Sequence, residues 1–313
     1  TWGVLNLVEE DKLDLDQPIE TYLSSWKFPP SEFDNSAITT RRILTHTAGI
    51  NREGEFKQIT SPDSVETIYE YLSMTKVVYP PGTSHNYSNN GYAILQVLIE
   101  DITDQSFEEY MTKNVLEPLG MTNSRFTWND TLGLKMATSY NQDRTVAPHF
   151  FYAEQSTGTL YSTIQDFTKF LQAHLSDNPV LKKETQEPLK KNQLPEDFPS
   201  WSPNMDQALG AKIYGRTTSD ENIIGHGGLG RWTVQNQVLL NPTTGDGLIV
   251  FSNGTFDYAS KLGDEWLFWK YGFINYGTQM NNLNRIIMIL VIGYLIIISL
   301  FWLRGIQKRK KSG

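Results

Sequence analysis

Val4, Leu5, Leu7 and Val8 recur at helical spacing at the front of the chain with no capping pattern ahead of them, so residues 1–10 read as the second half of a helix. Residues 19–80 alternate loops with short helical stretches. Two stronger helical patterns follow within 90–116, one around Ala93, Leu95, Val97 and Leu98, the other around Phe107, Tyr110 and Val115. The turn-like Ser156-Thr157-Gly158-Thr159 leads into another from Thr163 to Leu175. Beyond about residue 210 the period shortens. Residues 232–240 and 248–252 read as strands joined through 241–247, a loop rich in turn residues. Residues 257–272 return to a helix with Leu262, Trp266 and Trp269 on one side. Helices, then strands, then a helix point to an α+β fold, a sheet domain with an inserted helical region.

The apolar pattern changes character once more near the end. From Ile286 to Leu303, 18 residues carry no formal charge. At about 1.5 Å per residue they cross most of a hydrocarbon core roughly 30 Å thick. Arg285 precedes this stretch, and Arg304, Lys308, Arg309, Lys310 and Lys311 follow it. That asymmetry predicts a single-pass anchor in the cell membrane, with the C-terminus cytoplasmic and the main domain extracellular. A buried core helix, the competing reading, would keep one polar face. The expected organisation is a domain over 1–272, a tether over 273–285, the span over 286–303 and a basic tail over 304–313.

Charge and composition narrow the chemistry. Of 27 basic residues six lie in 285–313, where no acid occurs, so a net charge of −8 for the chain becomes −14 for the rest. A nucleic-acid partner is not expected from so acidic a domain. The absence of cysteine removes thiol nucleophiles, thiolate metal sites and disulfides. No pair among the five histidines has the spacing of a zinc motif, so neither metal nor cofactor is expected. Residues 1–10 lack the basic start and apolar run of a secretory signal, and the chain reads as opening inside a fold.

Two short segments carry candidate chemistry. His226 lies in Gly225-His226-Gly227-Gly228-Leu229-Gly230, just ahead of an expected strand; this is either a glycine-rich turn with an incidental histidine or a place where substrate approaches backbone N–H groups. Tyr87-Ser88-Asn89 follows Pro80-Pro81-Gly82 and opens a helix. Ser88 or Asn89 can serve merely as a cap. Alternatively, a phenol near a cation acts as a general base while the carboxamide orients a substrate amide.

Leu7 to Ile19, then Ile38 to Gly49 with its Leu44-Thr45-His46-Thr47-Ala48-Gly49 block, resemble the serine beta-lactamase and penicillin-binding protein superfamily in its class C-like branch. In order along the chain, Tyr87-Ser88-Asn89 resembles that branch's Y-x-N element. Gly158 to Thr163 with Asp166 resembles its sheet-to-helix return, and His226-Gly227-Gly228 the H-x-G form of its K-T-G strand. The resemblance spans roughly 1–272 and implies a beta-lactamase/transpeptidase-like architecture, an antiparallel sheet flanked by helices. It also implies acyl-enzyme chemistry by the serine of an S-x-x-K turn. The family position of that turn falls a few residues ahead of Thr1. The chain as it stands is therefore expected to be inactive, and its full-length parent an enzyme.

By the same resemblance Tyr87 is the base or proton shuttle, and Asn89 positions substrate. His226 stands where the family carries lysine, Gly227 and Gly228 admit the acyl group, and the Leu229 N–H supplies half an oxyanion hole. A neutral imidazole in place of an ammonium leans away from free carboxylates and toward esters, amides or D-amino-acid substrates. His46 reads as a structural hydrogen-bonding residue, and Trp266, Phe268, Trp269 and Tyr271 as packing or membrane-proximal surface. The expected partners are a small-molecule or peptide substrate, cell-wall derived, and the lipid bilayer. Two other readings stand beside the hydrolase: a non-catalytic surface binding or regulatory protein of the same fold, and a soluble cytoplasmic esterase.

Overall fold

A computed structural model describes residues 1–52, 57–198, 206–230, 233–254, 257–272 and 276–311. Its helices are α1 (Trp2–Glu9), α2 (Thr40–Leu44), α3 (Ile68–Leu72), α4 (Asn89–Thr103), α5 (Phe107–Met111), α6 (Asp130–Gly133), α7 (Gln155–Gly158), α8 (Ile164–Ala173), α9 (Lys183–Gln186), α10 (Tyr258–Tyr271) and α11 (Tyr276–Lys311). The strands are β1 (Gln207–Ala208), β2 (Ala211–Arg216), β3 (Asn222–Gly230), β4 (Val234–Leu240) and β5 (Gly247–Asn253). They form one antiparallel sheet in sequential order. The α+β architecture with an antiparallel sheet flanked by helices is that expected from the sequence.

The main core lies among the helices. On α4, Ala93, Ile94, Val97 and Leu98 are wholly buried, and they meet Leu5 and Leu7 of α1 and Ile43 and Leu44 of α2 in one cluster. Such removal of apolar surface from water contributes about 25 cal/mol per Å². Tyr110 ties α5 to α1, its hydroxyl donating to Gly3 O at 3.2 Å or to Asn6 Oδ1 at 2.9 Å. On one face of the sheet Ala208, Ile213, Ile224 and Leu240 pack with Leu171 of α8. On the other, Ile223 and Leu239 pack with Leu267 of α10, alongside Trp266 and Tyr271. Phe268 and Trp269 of the same helix are 54% and 79% exposed.

The β4–β5 hairpin follows the alternation read from the sequence, although Trp232, expected to open β4, lies outside the described residues. The segment 225–230, which periodicity places just ahead of a strand and the resemblance places on one, is the second half of β3. Its glycines hide it, because a strand is recognised by β-branched and aromatic residues. The structure shows why they are bare. A Cβ on Gly225 would collide with the backbone oxygen of Val238, whereas on Gly227 and Gly228 it would meet only the ends of the Gln237 and Asn236 side chains.

Helix α11 starts earlier than the expected span. It runs through most of the stretch read as a tether and on into the basic tail, because no proline occurs between Tyr276 and Lys311 to interrupt it. Residues 273–275 of the tether and 312–313 of the tail lie outside the described residues. Its window Arg285–Trp302, with mean hydropathy 2.4 and no part buried, is long and apolar enough to cross a membrane.

Asp166 joins α8 to the rest of the fold. Its N–H donates to the Thr163 cap at 3.1 Å. Its carboxylate, 1% exposed, accepts from Asn123 N at 2.7 Å, Ser124 Oγ at 3.0 Å and Lys169 Nζ at 3.1 Å. Burial opposes ionisation, but these donors outweigh it and hold the group below the usual aspartate value. Asp166→Ala is expected to lower the unfolding free energy by about 2–4 kcal/mol in urea titration, since it strands buried donors. A loss below about 0.5 kcal/mol would show that the network contributes nothing.

Candidate active site

The N-terminus of α4 is built by one serine. Ser88 Oγ accepts from Gly91 N at 2.9 Å, capping the helix, and donates to Asn51 O at 2.7 Å. The Ser88 N–H donates to His46 Nδ1 at 3.1 Å. His46 follows α2 in the left-handed region, φ 57°, and its carbonyl accepts from Asn86 N at 2.7 Å. An Nδ1 acceptor makes this imidazole neutral with its proton on Nε2. Burial, then the nearby His85, His226 and Lys212, push its pKa well below the ordinary value in agreement with that tautomer. His46 is thus a buried hydrogen-bonding residue that fixes residues 86–88.

Tyr87 is held over this support. Its ring lies 4.3 Å from that of His46 and 6.1 Å from that of His226, centroid to centroid. Lys212 Nζ is 5.6 Å and Arg52 Cζ 5.8 Å from the same ring, within reach of a cation–π attraction. Asn89 begins α4, its N–H donating to Arg52 O at 2.7 Å. His226 pairs with Val238, and Gly227, Gly228 and Leu229 continue along β3 opposite Gln237, Asn236 and Gln235. Pairing of β2 to β3 ends at Lys212 and Gly225. Residues 226–230 therefore form an edge that carries no strand among the described residues, with His226 beside Tyr87.

Of the sequence-derived site residues, the structure brings the rings of Tyr87 and His226 to 6.1 Å. Tyr87 and His226 face each other, Asn89 stands at the head of α4, and Gly227, Gly228 and Leu229 line the open edge. Burial, then Lys212, lowers the His226 pKa to about 4, so its imidazole is neutral at pH 7. His226 also borders a cavity of about 940 Å³ lined by Trp2, Phe170, Leu171 and Ile224. Tyr87, Asn89, Gly227, Gly228 and Leu229 do not line it. No cluster of metal-ligating side chains occurs among the described residues.

Lys212 and Arg52 escaped the sequence reading. Lys212 becomes visible only with the β2–β3 register, although the alternation in Ala211-Lys212-Ile213-Tyr214 is a strand signal. Two S-x-x-K tetrads lie inside the chain, Ser24 to Lys27 and Ser73 to Lys76. Neither is helical across its length. Ser24 N and Ser25 N donate to Asp101 Oδ2, near the far end of α4 from Tyr87. Ser73 follows the last turn of α3 with its hydroxyl donating to Glu70 O at 2.6 Å.

The model of the family described as Beta-lactamase matches residues 1–270. This chain belongs to the beta-lactamase family. It is 25% identical over 280 residues to "Protein flp" of Staphylococcus aureus (strain MRSA252), covering 83% of this chain and 52% of that protein. The chain spans about half the length of the curated relatives it matches. The penicillin binding protein from Bacillus halodurans superposes with TM-score 0.68 at 22% identity, over 85% of this chain and 81% of that one. The D-amino acid amidase from Ochrobactrum anthropi SV3, solved with D-phenylalanine, superposes with TM-score 0.64 at 24% identity, over 80% and 81%. These two likenesses show a fold shared with serine hydrolases and penicillin-binding proteins.

The buried imidazoles predict an acid-sensitive domain. His174, like His226, is lowered to about 4, chiefly by burial. Unfolding returns such groups to about 6.5, so below that pH the unfolded chain binds more protons than the folded one. Stability is complete above about pH 6.5 and falls toward pH 4, on the order of 2 kcal/mol per histidine. Melting temperature measured from pH 7 to 4.5 is expected to fall, and His226→Asn to remove part of the slope. A melting temperature independent of pH in this window would contradict neutral buried histidines.

Proposed function

We propose that this domain is the pocket of a membrane-anchored, extracellular serine hydrolase working through an acyl-enzyme on cell-envelope peptides or on esters and amides of D-amino acids. The observation that carries this reading is the closeness of the Tyr87 ring to His226, Lys212 and Arg52, at 6.1, 5.6 and 5.8 Å. The nucleophilic serine and its lysine are assigned to residues preceding Thr1 in the full-length parent.

In this mechanism Tyr87, reacting as the phenolate, takes the proton of the attacking serine as the serine oxygen bonds to the substrate carbonyl carbon. The tetrahedral oxyanion is held by the Leu229 N–H and the serine's own N–H. Collapse breaks the bond to the leaving group, which receives the proton from Tyr87, and water then repeats the sequence on the acyl-enzyme. Asn89 orients the substrate amide, and Gly227 and Gly228 let its backbone lie along β3. His226 borders the acyl group as a neutral donor or acceptor. The Arg285–Trp302 segment anchors the domain, and the basic residues after it place the domain outside.

A second reading, a non-catalytic surface binding protein, is favoured by one fact: neither S-x-x-K tetrad in the chain is brought to Tyr87. Labelling of the full-length parent with a fluorescent phosphonate and a fluorescent penicillin separates the two. A covalent label on a serine ahead of Thr1 is the expected result. Ligand binding without any label would overturn the hydrolase. Tyr87→Phe is expected to slow ester turnover by about 10²–10⁴ with the fold intact. Unchanged turnover would remove Tyr87 from proton transfer. Extraction of the parent from cells by salt alone, without detergent, would contradict the anchor.

A further inference from the structure

The far end of α11 carries more positive charge than an anchor needs. Arg304, Lys308, Arg309, Lys310 and Lys311 fall within eight positions, and no acidic residue follows Glu265. The backbone of α11 stays helical from the apolar window through Lys311, so the cluster is carried on the helix itself and not on a loose tail. With the helix along the bilayer normal and a rise of about 1.5 Å per residue, Arg304 stands roughly 3 Å beyond Trp302 and Lys311 roughly 14 Å. The headgroup layer on each side of a bilayer is about 5–7 Å deep. Screening at physiological salt extends over about 8 Å. The whole cluster therefore lies within that layer or about one screening length of it.

Orientation of a span takes an excess of cations on one side, and the partial negative charge of a helix C-terminus is met within its last turn. Neither use accounts for five cations. We propose that residues 304–311 bind the phosphates of anionic phospholipid headgroups on their own side of the membrane, so that the chain gathers such lipids around the end of α11. Ammonium and guanidinium groups pair with phosphate oxygens by charge-assisted hydrogen bonds, and a lipid of net negative charge is also drawn in from a distance. A zwitterionic headgroup offers the phosphate without the net charge. The attraction is confined to one end of the molecule, because residues 1–284 carry a net charge of −14 and are repelled by an anionic surface. This inference rests on α11 spanning a bilayer and is independent of the chemistry at Tyr87.

The test reconstitutes the full 313-residue chain into phosphatidylcholine vesicles holding a trace of spin-labelled phosphatidylglycerol or spin-labelled phosphatidylcholine. Electron paramagnetic resonance then reads the fraction of each label held against the protein. The anionic label is expected to be preferred about fourfold at low salt, with the preference shrinking as salt rises. A chain carrying Lys308→Gln, Arg309→Gln, Lys310→Gln and Lys311→Gln is expected to fall below about twofold while still floating with the vesicles. One carrying Lys308→Arg, Lys310→Arg and Lys311→Arg is expected to keep the preference. Equal retention of both labels by the unaltered chain overturns the proposal, as does an undiminished preference in the glutamine variant. Displacement of the anionic label by excess glycerol phosphate at constant ionic strength assigns the cluster to a soluble anion and overturns the lipid as its ligand. A chain that does not float with the vesicles overturns the span itself, and this proposal with it.

Discussion

Hydrogen bonds centred on Ser88 hold the candidate site to the body of the fold. The Ser88 N–H donates to His46 Nδ1, while the Ser88 hydroxyl caps α4 and donates to the backbone at Asn51. Two segments distant in sequence, residues 46–51 and 88–91, thereby converge on one residue. The arrangement requires a neutral His46, and burial keeps it so. It also requires the left-handed turn at residue 46, which no β-branched residue would accept readily. Tyr87, one residue before the serine, inherits its position from this latch, as does Asn89 one residue after it. A phenol placed by a capped helix of the main core has little freedom to wander, as acid–base chemistry requires.

The opposite wall is set by a different constraint. β3 must be both a full member of the sheet and an approachable surface. Its first half, packed on both faces through Ile223 and Ile224, is paired to β2 and β4. Among the described residues its second half pairs only with β4, and its glycines leave room for neighbouring side chains to fold over it. The end of β2 decides where one regime gives way to the other. Lys212 sits at that boundary, so the geometry that opens the edge also charges it.

Much of this was legible in the residue order. Helix α4 and the β4–β5 hairpin have long, regular patterns, and the structure follows both. The pairing of Tyr87 with His226 is not legible from periodicity, since 139 positions separate them. Only the ordered resemblance brought them into one site. Strands β1 to β3 were obscured because β1 is two residues long and β3 is rich in glycine, so neither presents a usable alternation. Lys212 and Arg52 were obscured for a related reason: their meaning lies in register and in loop closure, which a linear pattern does not encode. The tetrads at Ser24 and Ser73 show the converse, a motif without its geometry. Each has the right spelling on a chain path that does not carry the serine and lysine on one helical face beside the tyrosine.

The most direct measurement is a crystal structure of the full-length parent after reaction with a penicillin. The account predicts an acyl group lying against Gly227, Gly228 and Leu229, its carbonyl oxygen at the Leu229 N–H and the Tyr87 hydroxyl within hydrogen-bond distance of the modified serine oxygen. An adduct on Ser24 or Ser73, or one remote from Tyr87, would contradict it.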